Sequence, residues 1–382
     1  MARCLKKSRD IRNGFILIGV IIIVYKVAMN QNAITRNTPV EKQCTCDIHK
    51  TYTTTAVNAV YTYSLPKKKE KYVFIEDLGH NFTNKQDLIE LLLQPWTKNH
   101  SNLVELRKRM YGTNYNDPNI TDAMFASQEN LKPKQKIPYV FLKQRLHTLT
   151  GKLHSQLIKK LPFKKRYSSC SVVGNSGIIL NSSCGKAIDQ AEFVFRFNAP
   201  PIKPFTNDAG RKTNLTTVNG SLIRKRFRQI SDENGTTENG YKFMDYLMQY
   251  DRAYFLFPGF HEGGSTKLCF GAANLLSKNA TLADRSLFMR PDNYLAVARF
   301  WNITSVLSSG FFVVNAALSM CDNVNLYGFW PFYNDYHNRS LPYHYFEIMK
   351  MTKKTHHFGE EFQILSDLHR KGVLKMNFDT CV

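Results

Sequence analysis

Acidic residues are scarce in this chain. Its 382 residues carry 30 Asp and Glu against 52 Lys and Arg, a net charge of +22. That deficit points to an anionic partner: nucleic acid, acidic lipid, a sugar nucleotide or an acidic glycan. Cysteine is sparse as well. Eight in this length exclude a disulfide-stapled mini-domain and still allow a few structural bridges. No HExxH and no paired CxxC occurs, so the usual zinc spacing is missing and no metal site is expected. GxGxxG and internal repeats are also absent. Hydrophobic residues at 43% and aromatics at 13% supply a real core and exclude a mostly disordered chain.

One apolar run stands at the N-terminus. Phe15 to Tyr25 reads FILIGVIIIVY, and Val27-Ala28-Met29 extends it past Lys26. Arg3, Lys6, Lys7, Arg9 and Arg12 precede it, with only Asp10 against them, and no small-x-small cleavage site follows. An uncleaved signal anchor is expected, with a cytosolic N-terminus and the rest lumenal. The expected divisions are a cytoplasmic tail (1–13), a single transmembrane span (14–29), a Thr-, Asn- and Lys-rich stem (30–71) and a lumenal domain (72–382). The short span suits the thinner membranes early in the secretory route, and the expected location is the Golgi membrane.

Ten Asn-x-Ser/Thr sequons agree with lumenal exposure: Asn81, Asn99, Asn119, Asn181, Asn214, Asn219, Asn234, Asn279, Asn302 and Asn338. That compartment also argues against nucleic acid as the partner. Cys44 and Cys46 in the stem read as accessory cysteines that could bridge two chains into a homodimer. A strongly basic stretch runs from Lys132 to Arg166. It reads either as a solvated helix face or as a track for an anionic substrate.

From Cys170 apolar strands alternate with Gly- or Asn-rich turns and helices, the pattern of an α/β sheet. Four constellations there carry chemistry. In Cys170-Ser-Val-Val-Gly-Asn-Ser-Gly177 a strand runs into a turn where glycine lets backbone amides approach a phosphate, or simply makes a tight turn. In Phe193-Val-Phe-Arg-Phe-Asn198 a strand places Arg196 and Asn198 on one face, which implies a site or an ion pair for Arg196. Asp208, Arg211 and Lys212 follow as candidates for structural salt bridges. Ser308, Ser309 and Gly310 open an apolar helix, whose positive end suits either an anion or a simple N-cap. The helix leads to a strand and then Tyr327-Gly-Phe-Trp-Pro-Phe332, whose aromatics either stack on a base or sugar or belong to the core. His344 lies in Pro342–Glu347. His356 lies just before a helix marked by Phe362, Leu365 and Leu368, where a positive helix end keeps imidazole neutral, as a general base needs.

Taken together and in this order, these segments resemble the sialyltransferase family. Its large motif matches CSVVGNSGIIL, SSCG, FVFRFN and GRKTNLTT, and its small motif NAALSMC and YGFWPF. The short third motif matches His344–Glu347, and the very small motif matches His356 and Glu361, five apart. YGFWPF and Cys381 look most like the α-2,8 branch, which adds sialic acid to sialic acid. The resemblance implies a variant GT-A-like fold with a mostly parallel Rossmann-type sheet flanked by helices. It implies CMP-sialic acid as donor, a sialylated glycolipid or glycoprotein as acceptor, and an inverting transfer with no metal or other cofactor. It assigns Asn175, Asn198, Ser308, Ser309, Gly310, Trp330, Tyr343 and His344 to the donor site. His344 would assist departure of CMP, and His356 would be the base. It pairs Cys170 with Cys321 and Cys184 with Cys381, leaving Cys269 free. Two departures from the family are Ser at position 309, where Thr is usual, and Phe197, where Cys is common. An α-2,3- or α-2,6-sialyltransferase is the alternative within the class, and a non-catalytic lumenal glycan-binding protein of the same fold is the alternative outside it.

Overall fold

The computed structural model describes residue 90 and residues 92–381, apart from 118, 143, 164, 234 and 348–355. The expected anchor and stem, Cys44, Cys46, Asn81 and Asn234 lie outside the described residues. The strands are β1 (Phe125–Ala126), β2 (Lys136–Pro138), β3 (Leu146–Thr148), β4 (Cys170–Val173), β5 (Phe193–Arg196), β6 (Leu215–Thr217), β7 (Ser231–Asp232), β8 (Gly235–Thr236), β9 (Tyr254–Phe257), β10 (Ser286–Met289), β11 (Val324–Tyr327) and β12 (Lys375–Asn377). The main helices are α1 (His100–Tyr111), α2 (Gly185–Gln190), α3 (Glu238–Met248), α4 (Gly263–Leu276), α5 (Pro291–Phe300), α6 (Ser309–Met320) and α7 (Phe358–Arg370).

Eight strands form one sheet in the order β1-β10-β9-β6-β5-β4-β11-β12. Every neighbouring pair is parallel except β1 with β10. The central strands are short apolar runs because both faces of the sheet are covered. Side chains alternate between those faces. Val172, Phe195, Leu256 and Leu326 enter one core cluster. Their neighbours Val173, Val194 and Tyr327 enter a second, and Phe255 and Phe257 a third.

Helix α6 is buried all round from Phe311 to Met320. A helix so apolar sits inside the fold rather than on it, and its polar ends then need partners from elsewhere. At the C-terminal end Arg107, itself buried, donates to the carbonyls of Leu318 (2.7 Å) and Cys321 (2.5 Å). At the N-terminal end Glu361 accepts from Ser308. A cation at the C-terminus and a carboxylate at the N-terminus complement the helix dipole. Burial pushes the Arg107 guanidinium down to about 10, a value at which it still carries its charge at neutral pH.

Cys170 at the start of β4 is disulfide-bonded to Cys321 at the end of α6. Cys184 is bonded to Cys381 and ties down the C-terminal tail. Cys269 is a buried free thiol, pushed up to about 11 by burial.

The parallel part of the sheet starts at β4, runs through β5 and β6 to β9 and β10 on one side, and reaches β11 and β12 on the other. The order reverses between β4 and β11, which run parallel with Val173 opposite Tyr327. In open α/β sheets a crevice opens at such a reversal, outside the carboxyl ends of the strands. Both strands end in glycine here, and for a packing reason. A Cβ on Gly174 would lie 2.3 Å from the Gly328 carbonyl oxygen, and one on Gly328, whose φ is +67°, would lie 2.5 Å from that of Gly174.

Three expectations need correction. Arg196 is fully buried, yet it makes no ion pair among the described residues and does not line the crevice. It donates to the Lys212 carbonyl and the Thr213 hydroxyl. Its strand stops there, and Asn198 lies beyond it with φ +57°, so the shared face is lost. Asp208, Arg211 and Lys212 also form no salt bridge among the described residues. Asp208 accepts from the amides of Asn181 and Ser183, Asp189 accepts from those of Arg211 and Lys212, and Lys212 donates to the Ala191 carbonyl. The basic Lys132–Arg166 stretch is not one helix face: Lys136–Pro138 pairs with Leu146–Thr148 as the antiparallel hairpin β2–β3, and among the described residues only the single turn Gly151–His154 is helical.

Candidate active site

A cleft of about 290 Å3 opens at the β4–β11 reversal. It gathers residues from all four constellations: Asn175, Asn198, Ser308, Ser309, Gly310, Trp330, Tyr343, His344 and His356 all line it. Residues from position 174 to position 365 therefore meet in one concavity.

His356 presents the geometry of a base. Its Nδ1 lies 2.9 Å from the Val306 carbonyl oxygen. A carbonyl only accepts, so Nδ1 carries the hydrogen and Nε2 keeps its lone pair. Burial holds the imidazole below its usual value of 6.5, opposed by the bond to Val306. Helix α7 begins two residues later, and its N-cap is His357. His357 is exposed and lies 3.4 Å from Glu360.

His344 is held differently. Its Nδ1 donates to the Glu347 carboxylate. Tyr343 packs against its ring at 4.2 Å between centroids, and Phe346 stacks at 5.1 Å. The carboxylate fixes the ring nitrogen on one side and leaves Nε2 as the other polar edge.

Asparagines shape one wall of the cleft. Asn175 donates to the Phe197 carbonyl at 3.0 Å, while its Oδ1 is buried with no partner. An orphaned buried acceptor beside an open cleft is suited to a ligand donor. Asn198 takes the left-handed backbone that asparagine tolerates, and its Oδ1 accepts from the Asn219 amide. Asn219, read from sequence only as a sequon, lines the cleft and accepts the Ser309 hydroxyl at 3.2 Å. Asn99, Asn119, Asn181, Asn302 and Asn338 are exposed; Asn214 and Asn279 are half-buried. Phe197 and Phe329 meet edge to face at 5.8 Å in the same wall. Trp330 is largely buried. Its indole donates to Asn334 and its ring packs on Phe332, Phe362 and Phe378, so only its margin meets the cleft.

Glu361 is the residue that sequence reasoning undervalued. One oxygen accepts the Ser308 amide and the other the Ser308 hydroxyl, each at 2.6 Å. The same hydroxyl accepts from the Phe311 amide and caps α6. Ser308 therefore has both polar groups committed inside the protein, leaving Ser309 and Gly310 to face a ligand. Its signal was the His–Glu spacing of five, which puts the base and the clamp at one helix end. Burial, opposed by the Ser308 bonds, pushes the Glu361 carboxyl up to about 7. Between its ordinary 4.5 and about 7 the folded chain keeps a proton that the unfolded chain has lost. This group's contribution to stability accordingly falls as pH rises through that window. Glu361→Ala, which strands the buried Ser308 amide, should cost about 1–3 kcal/mol and raise the donor KM. Glu361→Gln should cost less and flatten the pH slope. Thermal midpoints at pH 5 and pH 8 check this.

A family model described as glycosyltransferase family 29 (sialyltransferase) matches residues 119–373. The chain belongs to that family. It is 40% identical over 232 residues to an alpha-N-acetylneuraminide alpha-2,8-sialyltransferase of Xenopus laevis, covering 58% of this chain and 60% of that protein. It is 34% identical to a protein of the same name from Bos taurus, covering 61% and 65%. It is also 34% identical to alpha-2,8-sialyltransferase 8F of Mus musculus, covering 56% and 54%. The matches thus span between 54% and 65% of these relatives' own lengths. A crystal structure of a mammalian sialyltransferase aligns with a TM-score of 0.41 and 18% identity, covering 78% of this chain and 87% of that one.

Proposed function

We propose that the protein transfers sialic acid from CMP-sialic acid to a sialylated glycan, forming an α-2,8 linkage. The observation that carries this reading is the pairing of two differently held imidazoles in one cleft. His356 has its Nδ1 hydrogen on Val306 and its Nε2 lone pair available, while His344 is oriented by Glu347. Transfer to a hydroxyl needs a base for the acceptor and a donor for the departing phosphate. His356 Nε2 takes the acceptor proton as the hydroxyl attacks the anomeric carbon. The bond from that carbon to the CMP phosphate oxygen breaks on the opposite face, with inversion. His344 Nε2 donates to the leaving phosphate. Asn175 and Asn198 bind the CMP part, with Asn219, Ser309 and Gly310 alongside. The α-2,8 assignment is supported by the relatives and by the YGFWPF segment. We further propose that the protein is a single-pass type II protein of the Golgi membrane, anchored by residues 14–29 with the site lumenal, which the basic flank and the sequons support.

The phosphate charge is met in this scheme by His344 and by the cleft's amides and hydroxyls. Transfer by the full chain should accordingly survive EDTA. Loss of activity in EDTA that manganese restores would overturn this mechanism.

A further inference from the structure

A separate surface lies on the β2–β3 hairpin. Exposed large apolar side chains are few among the described residues, and singly they need no explanation. Here three of the six cluster in one tip: Phe141 (44% exposed), Leu142 (41%) and Leu146 (56%). The described residues of the tip are hydrogen-bonded to one another and to the fold. Arg145 closes its turn by donating to the Leu142 carbonyl at 2.7 Å, and Tyr139 donates to that of Arg145. Val140 and Phe141 donate to the carbonyls of Phe260 and His261.

The surroundings of the tip are basic. Between Glu129 and Asp189 the sequence has no acidic residue at all. Lys132, Lys134, Lys136, Arg145 and Lys152 are exposed around the hairpin. None of them forms an ion pair among the described residues; the pairs of this region, Lys160 with Glu129 and Lys165 with Glu192, lie further along the chain. The hairpin also connects to the cleft by packed rings. Phe141 lies 4.7 Å from the His261 ring, His261 lies 5.4 Å from that of Tyr294, and the Tyr294 hydroxyl donates to Leu307, next to Ser308.

We propose that this hairpin docks on a membrane surface that carries anionic headgroups. Phe141, Leu142 and Leu146 enter the headgroup–acyl boundary, and the lysines and Arg145 pair with lipid charge. A soluble acidic glycan would use the cations and leave the three apolar side chains in water. A lipid interface uses both. Docking would hold the cleft close to acceptors carried on that membrane. The inference stands on the hairpin alone and does not depend on the reaction proposed above.

The test uses the full chain reconstituted with phosphatidylcholine vesicles, with or without phosphatidylglycerol, some bearing brominated acyl chains. A fluorophore is placed at Leu142→Cys or, as a control, at Tyr241→Cys, an exposed position on α3. Labelling of the parent chain's own thiols is subtracted. Bromine should quench the label at 142 and not at 241, and more strongly with phosphatidylglycerol. Lys134→Gln, Lys136→Gln and Arg145→Gln should each lower the docked-to-free ratio by about fivefold, with the thermal midpoint unchanged. Three results would each overturn the proposal: no quenching at 142, equal quenching at both positions, or quenching indifferent to lipid charge and to the three substitutions. So would burial of the label that follows protein concentration without lipid, which would mark a self-association surface instead.

Discussion

His356→Ala is expected to lower kcat by about two to four decades and to leave the donor KM unchanged, the usual consequence of losing a general base. The geometry sets this expectation. With its Nδ1 hydrogen committed to Val306, the ring can take a proton only at Nε2. A purely structural His356 would merely hold the Val306 carbonyl or assist the start of α7. Asn, a good capping residue that can still donate, would serve that purpose. His356→Asn should instead be nearly as inactive as Ala. His357→Ala, which removes an exposed imidazole facing Glu360, should behave like the parent chain. Because burial holds His356 below 6.5, the base stays neutral to lower pH than a free imidazole would. The acid limb of the kcat/KM profile should therefore fall below that value. Near-normal turnover by His356→Asn, or a collapse confined to His357→Ala, would place the base elsewhere.

His344→Ala is the second large effect. Loss of the group that donates to the departing phosphate should lower kcat by about two to four decades. Glu347→Gln should give a smaller loss, because the Gln oxygen can still accept from Nδ1 and keep the ring oriented. A mainly structural His344 would show the reverse pattern, with lowered thermal stability and normal turnover in the folded fraction. Single-turnover rates and thermal midpoints of the three proteins separate these outcomes.

Much of this site was legible in the sequence because it rests on local chemistry. Ser308 reads as an N-cap, and it caps α6. His356 reads as preceding a helix, and α7 starts at Phe358. The apolar run before Gly174 reads as a strand and forms β4, whose two faces put Val172 and Val173 in different core clusters. What could not be read were partners brought in from a distance. Glu361 reaches a serine 53 positions away. Arg196 looked like a site residue because a buried guanidinium needs acceptors, but a backbone carbonyl and a threonine hydroxyl meet its Nε and Nη2, and only Nη1 is left without a partner among the described residues. Asn219 looked like a surface sequon, because a three-residue pattern says nothing of which wall the asparagine faces. The basic segment has no apolar period of its own, so its hairpin emerges only from cross-strand pairing such as Lys136 with Thr148. Gly174 was read as letting backbone approach a phosphate or as making a tight turn, whereas its first constraint is Gly328 at the end of β11, a contact the sequence does not show.

The most direct test is to incubate the full chain with CMP-sialic acid and a glycan ending in sialic acid, then to determine the linkage of the product. Release of CMP together with a new sialic acid joined α-2,8 to the terminal one is the expected result, absent in His356→Ala. Transfer only to glycans that lack sialic acid, through α-2,3 or α-2,6 bonds, would contradict the assignment of linkage. Binding of the glycan without release of CMP would contradict the assignment as an enzyme.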